Sequence, residues 1–470
     1  MTARLWSTQA WRRVVVLLLA LIAWFVPPPD GLTQQAWHLF AIFAGAIVAV
    51  ILNAATILLG SVLALSAAVL TGTLQPAEAY GGFGDGFILL IVIAFLIGRG
   101  VVNSGLGVRI AYNLIRLFGK STLGLGYSVV AADMLIAFAF PSNTARSGVL
   151  YPITLSLAIG SDSRPEDGTR KRLGAYLMMT SMAGLSLSSA LWFTAMAANP
   201  IGAGLASNYG VSITFNSWLL MAVVPCIAAF AVVPLLLYHS IAPELQATPE
   251  APKDARRQLA EMGPLSRAEW ITATTCVLMV VGWALSEPFG IDKTAVAFLG
   301  LGVFMLSGIF TGKDMQQSGD ALNTLIWFAT LYTLSSALNE TGFMSFIGFQ
   351  IGPLVEGFSW PVVYLLLVVA YVLIHYFFVS QTAQLLALFG VFVGIGVDAG
   401  VPPELMAMML LFATNFFSVL TPQGSSSNVI FAASGYLTQG EIYRNGGLVV
   451  LVNTIIFLAL GTPWILFLSP

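Results

Sequence analysis

Residues 122–160 read TLGLGYSVVAADMLIAFAFPSNTARSGVLYPITLSLAIG, and residues 359–397 read SWPVVYLLLVVAYVLIHYFFVSQTAQLLALFGVFVGIGV. Each stretch is two apolar arms around a short polar cluster, Pro141-Ser142-Asn143-Thr144 in the first and Ser380-Gln381-Thr382 in the second. Such a break in an apolar region leaves backbone groups unsatisfied, at several kcal/mol each. It persists only where it lines a cavity or binds something. Both stretches therefore read as re-entrant hairpins that dip into a membrane and return.

The rest of the chain agrees. It is 58% hydrophobic and 9% charged, with a mean hydropathy of +0.88, where a soluble domain carries about 25% charged residues. Lipid is the partner this composition requires. A spanning chain must satisfy its backbone in helices or a closed barrel. Apolar runs such as Val14–Val26 are continuous, not alternating, so helices are expected. About 11 transmembrane helices are predicted, near 14–27, 36–53, 55–72, 87–104, 173–193, 214–240, 268–287, 293–310, 322–338, 403–420 and 446–468. The first run follows Arg12 and Arg13 like a signal peptide, but it ends in Pro27-Pro28-Pro29-Asp30 without a small-x-small site and reads as a retained helix.

Several function classes drop out. A net charge of −2 gives no sign of a nucleic-acid partner. Cys226 and Cys276 lie in apolar runs and read as buried hydrophobes. His38, His239 and His375 show no metal-ligand spacing, so no metal site or cofactor is expected. No H-E-x-x-H motif or paired intramembrane Asp set suggests an enzyme. A continuous pore suits asymmetric broken helices less well than alternating access does.

Basic residues give the orientation. With the N-terminus cytoplasmic, most of the 19 fall on one face, including Arg4, Arg109, Arg116, Lys120, Arg170 and Lys313; Lys293 falls outside, and Arg99 and Arg146 lie within apolar segments. The charged, Pro- and Ala-rich stretch 241–267 divides the chain as a cytoplasmic linker. Each half has spanning helices, a flat interfacial segment (105–120, 343–357), a hairpin and further spanning helices. An odd number of crossings separates the hairpins, which makes the halves an inverted repeat, the plan of many secondary transporters.

The hairpin tips carry the chemistry. Each exposes the start of its second arm, where unpaired N–H groups and the positive helix end suit an anion. Ser142, Thr144, Ser380 and Thr382 add hydroxyls, and Asn143 and Gln381 add amides. Two tips entering from opposite faces could grip a small anion with two carboxylates. Arg146 follows the first tip; it could hold a carboxylate, supply a fixed positive charge, or pair with Asp133. Its counterpart is Gln384. His375, just before the second tip, reads equally as a partner near the site or as a core histidine. A second break occurs in each half, Thr194 to Asn199-Pro200 and Thr421-Pro422 to Asn428, and reads as an unwound segment within a membrane helix.

Pro141-Ser142-Asn143-Thr144-Ala145-Arg146, the paired Ser380-Gln381-Thr382 and the Thr194…Asn199-Pro200 break resemble the divalent anion:sodium symporter family. The likeness covers essentially the whole chain and is nearest the branch of bacterial citrate or tartrate:succinate antiporters and plastid 2-oxoglutarate/malate translocators. It implies a homodimer in a bacterial inner membrane that carries di- or tricarboxylates by an elevator motion. The scaffold would be 1–120 with 268–357, and the moving part 121–240 with 358–470. Ser142, Asn143, Thr144, Ser380 and Thr382 would contact substrate carboxylates, and carbonyls at the tips and breaks would hold sodium in symporting members. This sequence departs from the symporter pattern at Gln381, at Arg146 and in the second break. A fixed cation beside the site would replace sodium and hinder movement of the empty carrier, which favours exchange. The alternatives are a sodium-coupled dicarboxylate symporter and, more remotely, an anion channel.

Overall fold

Ser121 and Ser142 begin the two arms of the first hairpin by the same device. The side chain of each accepts the N–H of the residue three further on, Gly124 and Ala145 respectively. In a computed structural model, which describes residues 8–355 and 357–469, this hairpin is a 15-residue helix, Thr122–Ile136, a three-residue 3-10 turn, Ala137–Ala139, and an 18-residue helix, Asn143–Gly160. The second hairpin has the same parts at the same lengths, with 15 residues in Trp360–Ile374, three in His375–Phe377 and 18 in Gln381–Asp398. The halves are a structural repeat at the resolution of single turns.

The chain is all-α and polytopic. Among the described residues there is no β-strand, only an isolated bridge between Ser121 and Ala247. All eleven expected spanning stretches are helical. Among the described residues, nine helices are long and apolar enough to cross a bilayer, hairpin arms among them, and Ile57–Leu70 and Lys293–Leu306 are shorter apolar helices. The last span starts earlier than its apolar run, at Gln439. There Thr438 and Glu441 form a reciprocal capping box, and Arg170 neutralises Glu441 at 2.7 Å, so a polar turn joins the helix. Arg4 and residue 356 of the expected 343–357 segment lie outside the described residues.

The described residues form two compact units. One holds the chain up to Val92 with Ile201–Ile213 and Gly319–Leu410; the other holds Ile93–Pro200, Thr214–Ser318 and the chain from Leu411. The second hairpin belongs to the first unit. The first hairpin and both later breaks belong to the second.

The linker belongs to the second unit and is not a loose tether. Its helix Ala251–Glu261 packs on the amphipathic helix Leu106–Phe118. Thr248 N–H donates to the Lys120 carbonyl at 2.9 Å, and Leu245 N–H to the Arg172 carbonyl at 2.9 Å. Arg109 donates to both Glu269 carboxylate oxygens and to the Gly263 carbonyl, the latter at 2.9 Å. Arg99, unexplained in its apolar run, lies at the end of Gly86–Ser104, where it is half-exposed and donates to Gln317 at 2.8 Å beside Asp314.

Candidate functional site

Ser142 and Ser380 have nearly the same backbone geometry, φ −141°, ψ 117° and φ −149°, ψ 125°. Each caps its helix through the N–H three residues on, at 3.3 Å in both cases. The capped turns direct their first N–H groups out of the helix end, as an anion site requires. Asn143 and its counterpart Gln381 are buried; Thr144 is exposed and shares a 2.6 Å hydrogen bond with Ser426, whereas Thr382 is buried.

Behind the first tip lies Arg146, fully buried. One guanidinium nitrogen, Nη1, donates to Asp133 at 2.7 Å and to Ser188. The other, Nη2, donates to the Asn143 amide oxygen, to Ser189 and to the Leu185 carbonyl. Ser188 in turn donates to Asp133, and Ser189 lies 2.7 Å from the Asn143 amide oxygen. Of the roles open to Arg146 in the sequence, the geometry supplies the Asp133 pair. The charge is compensated within the same unit.

Behind the second tip, Gln384 holds the equivalent place without a charge. Its amide nitrogen donates to the Tyr371 carbonyl at 2.7 Å, 13 residues back, the same interval that separates Arg146 from Asp133. Its amide oxygen meets His375 Nδ1 at 2.8 Å. That oxygen is an acceptor, so Nδ1 carries the proton. His375 is fully buried.

The two later breaks also match. The Asn199 amide nitrogen donates to the carbonyls 10 and 7 residues earlier, Ser189 at 2.9 Å and Trp192 at 3.1 Å. The Asn428 amide nitrogen does so at the same intervals, to Ser418 at 2.7 Å and Thr421 at 2.9 Å. Each asparagine replaces helix bonds lost at the unwound turn, which is how a break survives without water. Thr194 donates to the Phe138 carbonyl at 2.6 Å, and Ala197 N–H to the Pro141 carbonyl at 3.1 Å, tying the first break to the first tip. Asn415 donates to Asn199 at 2.7 Å, tying in the second-half helix. Pro200 is buried in the first turn of Ala198–Ser207. Thr421 is buried, with a side-chain oxygen that has no hydrogen-bond partner among the described residues, and Pro422 is half-buried.

Ser142, Asn143, Thr144, Arg146, Thr194, Asn199, Pro200, Thr421 and Pro422 thus belong to one unit, while His375, Ser380, Gln381 and Thr382 belong to the other. Sequence reasoning missed Ser188, Ser189, Asn415, Ser426 and the role of Asn428. The common interval from Asn199 and Asn428 back to their carbonyls could have flagged the last.

A duplicated set of capped tips and asparagine-held breaks is a transporter's plan. The model of the sodium:sulfate symporter transmembrane region matches residues 7–469. This chain belongs to that family, the divalent anion:sodium symporters. Its relatives in the family include a putative malate transporter, YflS, of Bacillus subtilis, 40% identical over 96% of this chain and 95% of the relative. They also include dicarboxylate transporter 1, chloroplastic, of Arabidopsis thaliana, 39% identical over 96% and 81%. The inner membrane protein YbhI of Escherichia coli is 31% identical over 97% of both chains. The fold resembles that of the Alcanivorax borkumensis YdaH transporter, with a TM-score of 0.58 at 16% identity over 98% of both chains. As a divalent anion:sodium symporter family member, the chain is a membrane transporter rather than a member of an enzyme family.

Proposed function

We propose that this protein exchanges dicarboxylates, such as 2-oxoglutarate, malate or succinate, across a bacterial inner membrane, as a homodimer with its N-terminus cytoplasmic. The observation that carries the reading is the pair of Ser-capped hairpin tips with matched geometry, in a chain whose relatives are named malate and dicarboxylate transporters. One carboxylate would meet Ser142, Asn143 and Thr144. The other would meet Ser380, Gln381 and Thr382. The breaks at Thr194–Pro200 and Thr421–Pro422 would form the flexible walls, and His375 would brace the second tip through Gln384. An elevator motion would carry 121–240 with 358–470 past a scaffold of 1–120 with 268–357.

Sodium independence is part of the proposal. The carboxylate, hydroxyl, amide and carbonyl oxygens of Asp133, Ser188, Ser189, Asn143 and Leu185 line the two terminal nitrogens of Arg146 behind the first tip. An all-oxygen set suits a hard cation, and here a covalently attached guanidinium fills it. Because Asp133 cancels that charge, the barrier to an empty carrier falls instead on the positive helix ends and polar tips, which would cross the bilayer without an anion.

The test is uptake of labelled malate and 2-oxoglutarate into proteoliposomes, empty or loaded with unlabelled dicarboxylate, with and without a sodium gradient. Uptake into loaded vesicles alone, indifferent to sodium, is expected. Sodium-driven uptake into empty vesicles would establish symport instead. Uptake of neither acid under any condition would refute the substrate class.

A further inference from the structure

We infer that Arg146 is a positioning residue, which acts on the anion by fixing the Asn143 amide, and that it does so only as a neutral unit with Asp133. This rests on the exchanger reading for the identity of the anion, but the pair itself rests on geometry alone.

The first argument is donor capacity. A guanidinium has five N–H groups, two on each Nη and one on Nε. Nη1 is occupied by Asp133 and Ser188; Nη2 is occupied by Asn143, Ser189 and Leu185. Only Nε is left, and it is buried. The terminal nitrogens that ordinarily clamp a carboxylate in a fork are already committed to protein oxygens.

The second argument is orientation. The Asn143 amide oxygen receives Arg146 and lies 2.7 Å from Ser189. An amide has one acceptor end and one donor end. Turning the oxygen inward toward Arg146 and Ser189 fixes the direction in which Nδ2 points. Without Arg146 the amide loses the charge that selects between its two orientations, and half of its settings would present oxygen to an anion.

The third argument comes from the repeat. Gln384 stands in the same place behind the second tip and is equally buried, yet it braces the structure with a carbonyl and an imidazole. The place therefore requires a bonded support, not a positive charge. Arginine meets that requirement only with a counter-ion, because one member of a buried ion pair left alone is far more costly than none.

The experiment compares the parent with Arg146→Gln, Asp133→Asn, the D133N/R146Q double variant, Arg146→Lys, and each with Asn143→Ala added, in malate exchange and in unfolding by detergent titration. Each single neutralisation should lower exchange by roughly 30-fold or more and destabilise the protein, while the double variant should recover to within about fivefold of the parent. Its remaining defect should lie in KM rather than maximal rate, and adding Asn143→Ala should raise KM little further, since the two changes remove the same interaction. Arg146→Lys should fold and raise KM, keeping the charge but losing the fork. A double variant that folds but exchanges no better than Arg146→Gln would overturn the inference in favour of direct contact. KM effects of Asn143→Ala that multiply independently on the double variant would also overturn it, as would an Arg146→Lys protein with unchanged KM. If even the parent exchanges neither malate nor 2-oxoglutarate, the functional reading fails. The unfolding series then decides the pair by itself: rescue in the double variant sustains it, and additive losses refute it.

Discussion

Asn199 and Asn428 can be compared as one perturbation applied twice. Asn199 makes three side-chain bonds, to the Ser189 and Trp192 carbonyls and from Asn415. Asn428 makes two, to Ser418 and Thr421. Both side chains are buried, at 0% and 1% exposure. Replacement by alanine strips partners from buried groups, at about 1–3 kcal/mol for each. Taking the lower end for each bond gives about 3 kcal/mol for Asn199→Ala and about 2 kcal/mol for Asn428→Ala. Aspartate should be worse than alanine at both positions, because it faces two carbonyl oxygens with an acceptor-only group. Detergent-titration unfolding of purified protein in bicelles measures the order, and proteoliposome exchange measures the consequence. Both alanine variants should lose exchange in step with stability. Variants within about 0.5 kcal/mol of the parent would refute the claim that these amides hold the breaks. So would Asn428→Ala clearly exceeding Asn199→Ala, or aspartate milder than alanine.

Ser142→Ala and Ser380→Ala should each remove about 1 kcal/mol of capping and raise the KM for malate by similar factors, which exchange kinetics would check; a change at one tip only would break the proposed symmetry. Arg109→Ala leaves Glu269 without its buried counter-ion, at about 3–5 kcal/mol, and should release the linker, read as faster proteolysis within 241–267. Asp314, outside the spans, is held down to about 2 by hydrogen bonds from Thr311 and then Asn103, with Arg99 adding to them. Its folded value lies below the ordinary 3.8, so its stabilisation is full above that ordinary value and is lost as pH falls through about 2. The gap in unfolding midpoint between the parent and Asp314→Asn should accordingly be flat from about pH 5 to pH 8 and shrink below about pH 4.

Hydropathy made the helices legible because the bilayer permits so few alternatives, and the tips were legible because polar breaks in apolar runs need a reason. What sequence could not settle was which partner each polar side chain takes. It offered Asp133 as one of three roles for Arg146, but the two face each other across a hairpin at an interval of 13 residues, which no helical or strand period picks out. Ser188 and Ser189 sit in a run of small residues that reads equally well as close helix packing. In the second break, Thr421-Pro422 attracted attention by its proline, yet the residue equivalent to Asn199 is Asn428, and no proline stands beside it as Pro200 stands beside Asn199. The repeat is defined by which amide reaches which carbonyl, not by which residue breaks the helix. The π-helical turn Phe457–Gly461 is a milder case: Pro463 lacks the N–H that would continue the α ladder, so a local adjustment was foreseeable although its form was not.

The two tips keep their serine caps, their backbone angles and their arm lengths, while the supports behind them differ in charge, hydrogen-bond type and residue class. If the support were itself the binding group, one repeat would offer an anion an arginine and the other a glutamine. The caps are what the repeat preserves, and the supports are two solutions to one packing problem. A cation with its counter-ion and an amide with an imidazole and a carbonyl each leave no net charge behind the tip when His375 is neutral. That equivalence explains how a position that sequence alone marks as a buried charge contributes no net charge behind the tip.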